Sequence, residues 1–160
     1  MACQLAGYCP LNLMVWLAAE LPPEIPSVCV AQAAQHYAIP AELLVAIARQ
    51  EGGEVGRAYP RSHGTYFGPY QISDKWLASL AKWGYDAQTL TYNACANAYA
   101  GAYVLAYYKA REPDWARAIA RYNVGSLDTP SRVEAGDRYA RKVIAHWWAI
   151  YRKWKAAYGQ

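Results

Sequence analysis

Along most of the chain the apolar positions recur three and four residues apart, the spacing of helices that bury one face. The clearest case starts at Pro40 and runs Ala-Glu-Leu-Leu-Val-Ala-Ile-Ala-Arg-Gln-Glu51. Pro40 suits a first helical position, where a missing N–H costs nothing, and good helix formers follow it. Leu44, Ile47 and Glu51 fall at i, i+3 and i+7, so the carboxyl of Glu51 continues the apolar stripe. Gly52-Gly53 then end the helix. A glutamate placed there sits where a packed interior meets a cleft. Desolvation disfavours its charged form, so it holds a proton near neutrality. A protonated carboxyl is what donation to a glycosidic oxygen requires. The competing reading is a solvated or salt-bridged residue in a last helical turn.

The same periodicity predicts the other elements. An apolar run from Leu11 to Leu21, interrupted by Asn12 and Glu20, is too short to span a bilayer. No Lys or Arg precedes it, so the positive start of a secretory signal is missing. Pro22-Pro23 and Pro26 break the chain, dividing an N-terminal extension (1–26) from the main domain (27–160). Ser27 is placed to cap a helix from Val28 to Tyr37. Residues 52–67 have no periodicity and read as a long loop over the cleft. Ser73 caps a helix through Trp76, Leu77 and Leu80 that stops at Gly84. Thr91 opens a longer helix with Ala94, Ala98, Gly101, Leu105 and Tyr108 on one side, a small-residue stripe suited to close helix packing. Asp114 starts the next, with Trp115, Ile119 and Tyr122 inward, ending at Asn123-Val-Gly125. From Asp137 a last helix points Val143, Trp147, Ile150, Trp154 and Tyr158 to one side. No strand–helix alternation or repeat occurs, so the fold is mainly α, in one domain.

Composition narrows the picture. A hydrophobic fraction of 55% with 18% charged residues describes a globular chain. Fifteen Tyr and seven Trp against one Phe favour rings with polar handles, which suit a sugar-stacking cleft and equally a helical core. The net charge of +4 falls short of a nucleic-acid footprint, and Arg141, Lys142, Arg152, Lys153 and Lys155 read as a solvated helix face. No cysteine or histidine spacing suits a metal. Four cysteines permit two disulfides in an oxidising compartment, or four buried thiols in a reducing one. The expected pair is Cys29 with Cys95, joining the first helix of the domain to the long one; Cys3 and Cys9 could bridge locally.

Five separated segments, in order, resemble one family. They are Arg49-Gln-Glu51-Gly-Gly, Gly64-Thr-Tyr-Phe-Gly68-Pro-Tyr-Gln71-Ile72, Cys95-Ala-Asn97-Ala-Tyr-Ala-Gly101-Ala-Tyr-Val-Leu105, Ala120-Arg-Tyr122-Asn123-Val-Gly125 and Tyr139-Ala-Arg-Lys-Val143. Together they are similar to the lysozyme-like soluble lytic transglycosylases, closest to the small stand-alone members that accompany type IV secretion, conjugation and pilus systems. The resemblance implies a goose-type-lysozyme-like fold and cleavage of the β-1,4 bond between N-acetylmuramic acid and N-acetylglucosamine, without a cofactor. Glu51 would be the acid and base. Gly68, Tyr70 and Gln71 would line the sugar cleft, Tyr122 would orient the glutamate, Asn123 would bond substrate, and Tyr139 would stand in the wall beside the reacting saccharide. From the residues alone, Gln71 also reads as a turn residue, Tyr122 and Tyr139 as core aromatics, and Asn123 as a helix cap. The implied partners are peptidoglycan strands and secretion or pilus machinery, in the periplasm or outside the cell.

The chain departs from the family pattern in four places. Gly52 stands where Ser usually follows the glutamate, Pro69-Tyr70 replaces Leu-Met, and Phe67 replaces an Asp before the second glycine. Ala135 stands where many members carry Glu, with Glu134 one residue out of register. An ordinary glycosidase needs two carboxylates, and no second one is compelling beside Glu51, since glycines separate it from Glu54. The expectation is therefore a transglycosylase in which the muramoyl 6-hydroxyl closes a 1,6-anhydro ring. The alternatives are a goose-type-lysozyme-like hydrolase and a non-catalytic wall-binding assembly protein.

Overall fold

The structure is a computed structural model that describes residues 10–158, with side chains from Met14 onward in the first helix; the pairing expected of Cys3 and Cys9 lies outside the described residues. Three helices come first: α1 (Pro10–Glu20), α2 (Ser27–His36) and α3 (Ala41–Glu51). A three-stranded antiparallel sheet follows, β1 (Ala58–Arg61), β2 (Gly64–Phe67) and β3 (Ile72–Ser73). After it come α4 (Leu77–Leu80), α5 (Ala87–Tyr92), α6 (Ala94–Lys109), α7 (Trp115–Val124) and the 29-residue α8 (Pro130–Tyr158).

The core forms around α3, whose residues from Leu43 to Ala48 are all buried. α8 lies along both α3 and α7, and α2 packs on α6. Burying each Leu, Val or Ile of such a helix contributes about 1.5–3 kcal/mol, which outweighs the propensity of any single residue. α1 joins this same core through Trp16, Leu17 and Leu21, although it precedes the break at Pro22-Pro23. A disulfide between Cys29 and Cys95, with Cα atoms 5.2 Å apart, ties α2 to the first turn of α6. Closing 66 residues contributes about 4 kcal/mol in the chain-entropy account. Among the described residues no helix is long and apolar enough to cross a membrane.

Several boundaries differ from the sequence expectation, each for a local reason. Pro40 is the N-cap of α3, with extended ψ, not its first helical residue. Pro26 takes the cap of α2, so Ser27 is already helical and no side chain caps that end. Much of the stretch read as loop is a hairpin: Ala58 pairs with Phe67 and Arg61 with Gly64, and β2 then pairs with β3. Four-residue strands of mixed burial leave too little alternation to read. Thr91 belongs to α5, and α6 starts after Asn93, whose side chain accepts the Ala96 N–H at 3.0 Å. α8 begins seven residues before Asp137, because Gly136 is where it crosses α7. A Cβ there would sit 3.0 Å from the Ala120 Cβ, so the glycine serves close approach, not a break.

Candidate active site

Glu51 is the last residue of α3, and Gly52 follows in the left-handed conformation (φ 60°, ψ 22°) that a helix-ending glycine adopts at no steric cost. The glutamate is half-buried, and its Oε1 accepts a hydrogen bond from the Tyr139 hydroxyl, which α8 brings across from 88 residues away. Burial raises the carboxyl from its ordinary 4.5 to about 7, against the opposing pull of that hydrogen bond. Burial is also the main cause that raises the hydroxyls of Tyr66, Tyr122 and Tyr139; the charge of Asp74 and then that of Glu51 add at Tyr66, and the Glu51 charge adds at the other two. Three tyrosines, from β2, α7 and α8, therefore surround one carboxyl.

The opposite wall is a turn held by one buried amide. Asn97 of α6 is fully buried; its Oδ1 accepts the Tyr70 N–H at 2.8 Å, and its Nδ2 donates to the carbonyls of Phe67 and Leu90, each at 2.8 Å. Gly68 passes so close that a Cβ would lie 2.4 Å from Asn97 Nδ2, with φ at 64°. The Gly68 carbonyl accepts from both the backbone N–H of Gln71 at 3.1 Å and its side-chain Nε2 at 3.0 Å. Gln71 itself has φ 50°, an uncommon conformation for a residue with a Cβ. Gly53, just past the acid, packs onto the same turn: a Cβ there would lie 2.1 Å from the Gly68 oxygen. The two walls thus meet through backbone.

Beside them runs a groove of about 660 Å³ whose lining includes His63, Tyr66, Gln71, Trp76, Tyr122 and Asn123. Gln71, Tyr122 and Asn123 are therefore brought together on one surface. Glu51 and Tyr139 are not lining residues; the acid adjoins the groove through its neighbours Tyr66 and Tyr122. Asn123 is exposed in the last turn of α7, where Gly125, not Asn123, is the C-cap.

Two expected cleft residues lie behind the groove surface instead of lining it. Tyr70 is fully buried, its ring against Gly101, where a Cβ would lie 2.7 Å from Tyr70 Cδ1. The small-residue stripe of α6 thus receives this ring at Gly101. Gly68 is likewise buried and spends its carbonyl on Gln71. The two tyrosines also divide their work differently: Tyr139 bonds Glu51, whereas the Tyr122 hydroxyl donates to the Tyr70 carbonyl at 2.8 Å.

Sequence reasoning gave no role to Asn97 or Tyr66. The available signal for Asn97 was an amide among Ala and Gly on a buried helix face; strand residue Tyr66 offered none. Among the described residues no cluster of three or more His, Cys, Asp or Glu could hold a metal ion.

The transglycosylase SLT domain family model matches residues 28–144. The invasion protein IagB of Salmonella typhimurium strain SL1344 is 33% identical over 132 residues, 79% of this chain and 77% of that protein. Its counterpart from Salmonella typhi shows the same identity and coverage.

Proposed function

This chain belongs to the transglycosylase SLT domain family, a lytic transglycosylase with peptidoglycan as substrate, and from that premise we propose how it cuts and where. Glu51 is the single acid and base. Protonated near neutrality, it gives its proton to the oxygen of the β-1,4 bond between N-acetylmuramic acid and N-acetylglucosamine. The acetamido group of the substrate stabilises the cation that develops. The carboxylate left behind takes the proton of the muramoyl 6-hydroxyl, whose oxygen closes the 1,6-anhydro ring, so the acid is regenerated without water. An internal hydroxyl has a high effective molarity, so positioning supplies much of the rate. Gln71, Tyr122 and Asn123 hold the strand from the groove, and Tyr139 holds the acid.

The observation that carries this reading is one half-buried glutamate, raised to about 7, beside a groove whose lining includes Gln71, Tyr122 and Asn123, while the other carboxylate that acts on Tyr66, Asp74, already accepts the Thr65 N–H at 2.9 Å. A two-carboxylate hydrolase would need a second acidic group across the scissile bond. The test is mass analysis of fragments released from purified sacculi. Products lighter by one water than the hydrolytic ones are expected. Fully hydrated ends would make the protein a hydrolase, and binding without release would make it a wall-binding protein.

The proposed setting is the periplasm, where the wall is opened locally for an apparatus of the secretion, conjugation or pilus class. The Cys29–Cys95 disulfide supports an oxidising compartment. The similar Salmonella proteins are named for invasion, which supports a role beside a wall-crossing machine. Cell fractionation, with wall-crossing function scored in a deletion strain, tests both.

A further inference from the structure

The family match begins at residue 28 and ends at 144, yet the chain on either side of it packs together and reaches residues that flank the acid. Trp16 of α1 meets Trp154 of α8 edge-on, with ring centroids 6.4 Å apart. Glu20, at the end of α1, is only 8% exposed. Its carboxylate lies 3.0 Å from Arg49 Nη1 and 3.2 Å from Lys153 Nζ. Arg49 sits on α3 two residues before Glu51, and Lys153 sits on α8, the helix that carries Tyr139. One buried carboxylate therefore bridges the two helices whose side chains form the Glu51–Tyr139 pair.

Four residues further on, Glu24 acts on the other side of the acid. Its Oε2 accepts the Val55 N–H at 3.1 Å. Three other bonds hold the chain between Glu51 and β1: Glu54 N–H to the Tyr59 hydroxyl, Gly56 N–H to the Thr91 carbonyl, and Gly68 N–H to the Arg57 carbonyl at 3.0 Å. Two glycines at 52 and 53 make this the most conformationally free junction next to the acid. Gly53 must also stay within touching distance of Gly68 and Gln71 for the groove wall to keep its shape.

We propose that the segment from α1 to Glu24 is a positioning element of the active site: Glu20 and Glu24 grip the chain at Arg49 and Val55, on both sides of Glu51. The proposal rests on the reading of Glu51 as the acid. A displacement of the acid by about 1 Å can cost as much as 100-fold in rate, so a brace at both flanks has kinetic leverage even where each contact is modest.

The experiment is the double variant Glu20→Ala/Glu24→Ala in the full chain, with Glu24→Gln as the conservative control because an amide oxygen still accepts the Val55 N–H. The double variant should lower kcat on sacculi by about tenfold with KM within about twofold, while Glu24→Gln stays within about twofold of wild type. A second readout does not need turnover: a carbon-detected NMR titration of the Glu51 carboxyl. The titratable groups that face it are Tyr66 of β2, Tyr122 of α7 and Tyr139 of α8, and none belongs to the segment being altered. Its midpoint should move down in the double variant, because a loosened acid is better hydrated. Lower thermal stability with unchanged kcat and unchanged midpoint would reduce the segment to ordinary packing and overturn the proposal. If wild type releases no anhydro products, the functional reading fails, and the titration still decides whether these contacts place Glu51.

Discussion

Asn97 and Glu51 are both polar side chains carried into the interior by helices, and they are treated in opposite ways. Asn97 has a partner on each face of its amide: one N–H donated to its oxygen and two carbonyls for its nitrogen. Glu51 has one hydrogen bond, from Tyr139, and is otherwise desolvated. A fully satisfied buried group adds rigidity, since every alternative geometry leaves a donor or acceptor unmet. A carboxyl with a single partner keeps a proton that it can give away. The wall that shapes the groove is thus built on satisfaction, and the wall that reacts is built on its shortage.

The sharpest way to break this comparison is Glu51→Gln. Turnover on sacculi should fall by about 1,000-fold, the range for losing a general acid. Stability should move the other way. The folded carboxyl keeps its proton to about pH 7, whereas the unfolded chain releases it near 4.5. Between those values folding takes up a proton, so wild-type stability declines as pH rises. The amide carries no such penalty and should be more stable than wild type by up to about 3 kcal/mol above pH 7, with the gap closing toward pH 4. Urea unfolding at pH 4 and pH 8 measures it, and equal gaps at both would contradict the raised carboxyl.

Asn97→Ala comes next. It leaves the Tyr70 N–H and two carbonyls unmet in the interior, so stability should drop by about 3 kcal/mol at every pH, in contrast to the pH-dependent effect at position 51. Tyr139→Phe should lower kcat by roughly tenfold. Because its hydrogen bond pulls the Glu51 carboxyl down, losing it should raise the upper limb of the pH–rate profile above its wild-type position. Tyr122→Phe is the mildest. It removes one bond, to the Tyr70 carbonyl, and should cost about 1 kcal/mol without moving that limb. A shift as large as that of Tyr139→Phe would show that the two tyrosines share the task.

By itself the sequence determined the helical class, the interior-facing placement of the glutamate and its glycine stop. Those depend on local spacing: a 3.6-residue period sets which residues share a face, and Gly52 tolerates the left-handed cap. It also held the ordered motifs by which the family is recognised. Only the tertiary structure decided which groups meet across long separations. It put the Tyr139 hydroxyl, rather than that of Tyr122, on Glu51, sent the Tyr70 ring inward against Gly101, and hung the turn at Gly68 from Asn97. It likewise turned an apparent loop into a hairpin and folded α1 onto α3 and α8. Period and propensity describe neighbours along the chain. Which hydroxyl reaches a buried carboxyl depends on how the helices stack, and that is settled by the fit of side chains contributed from everywhere at once.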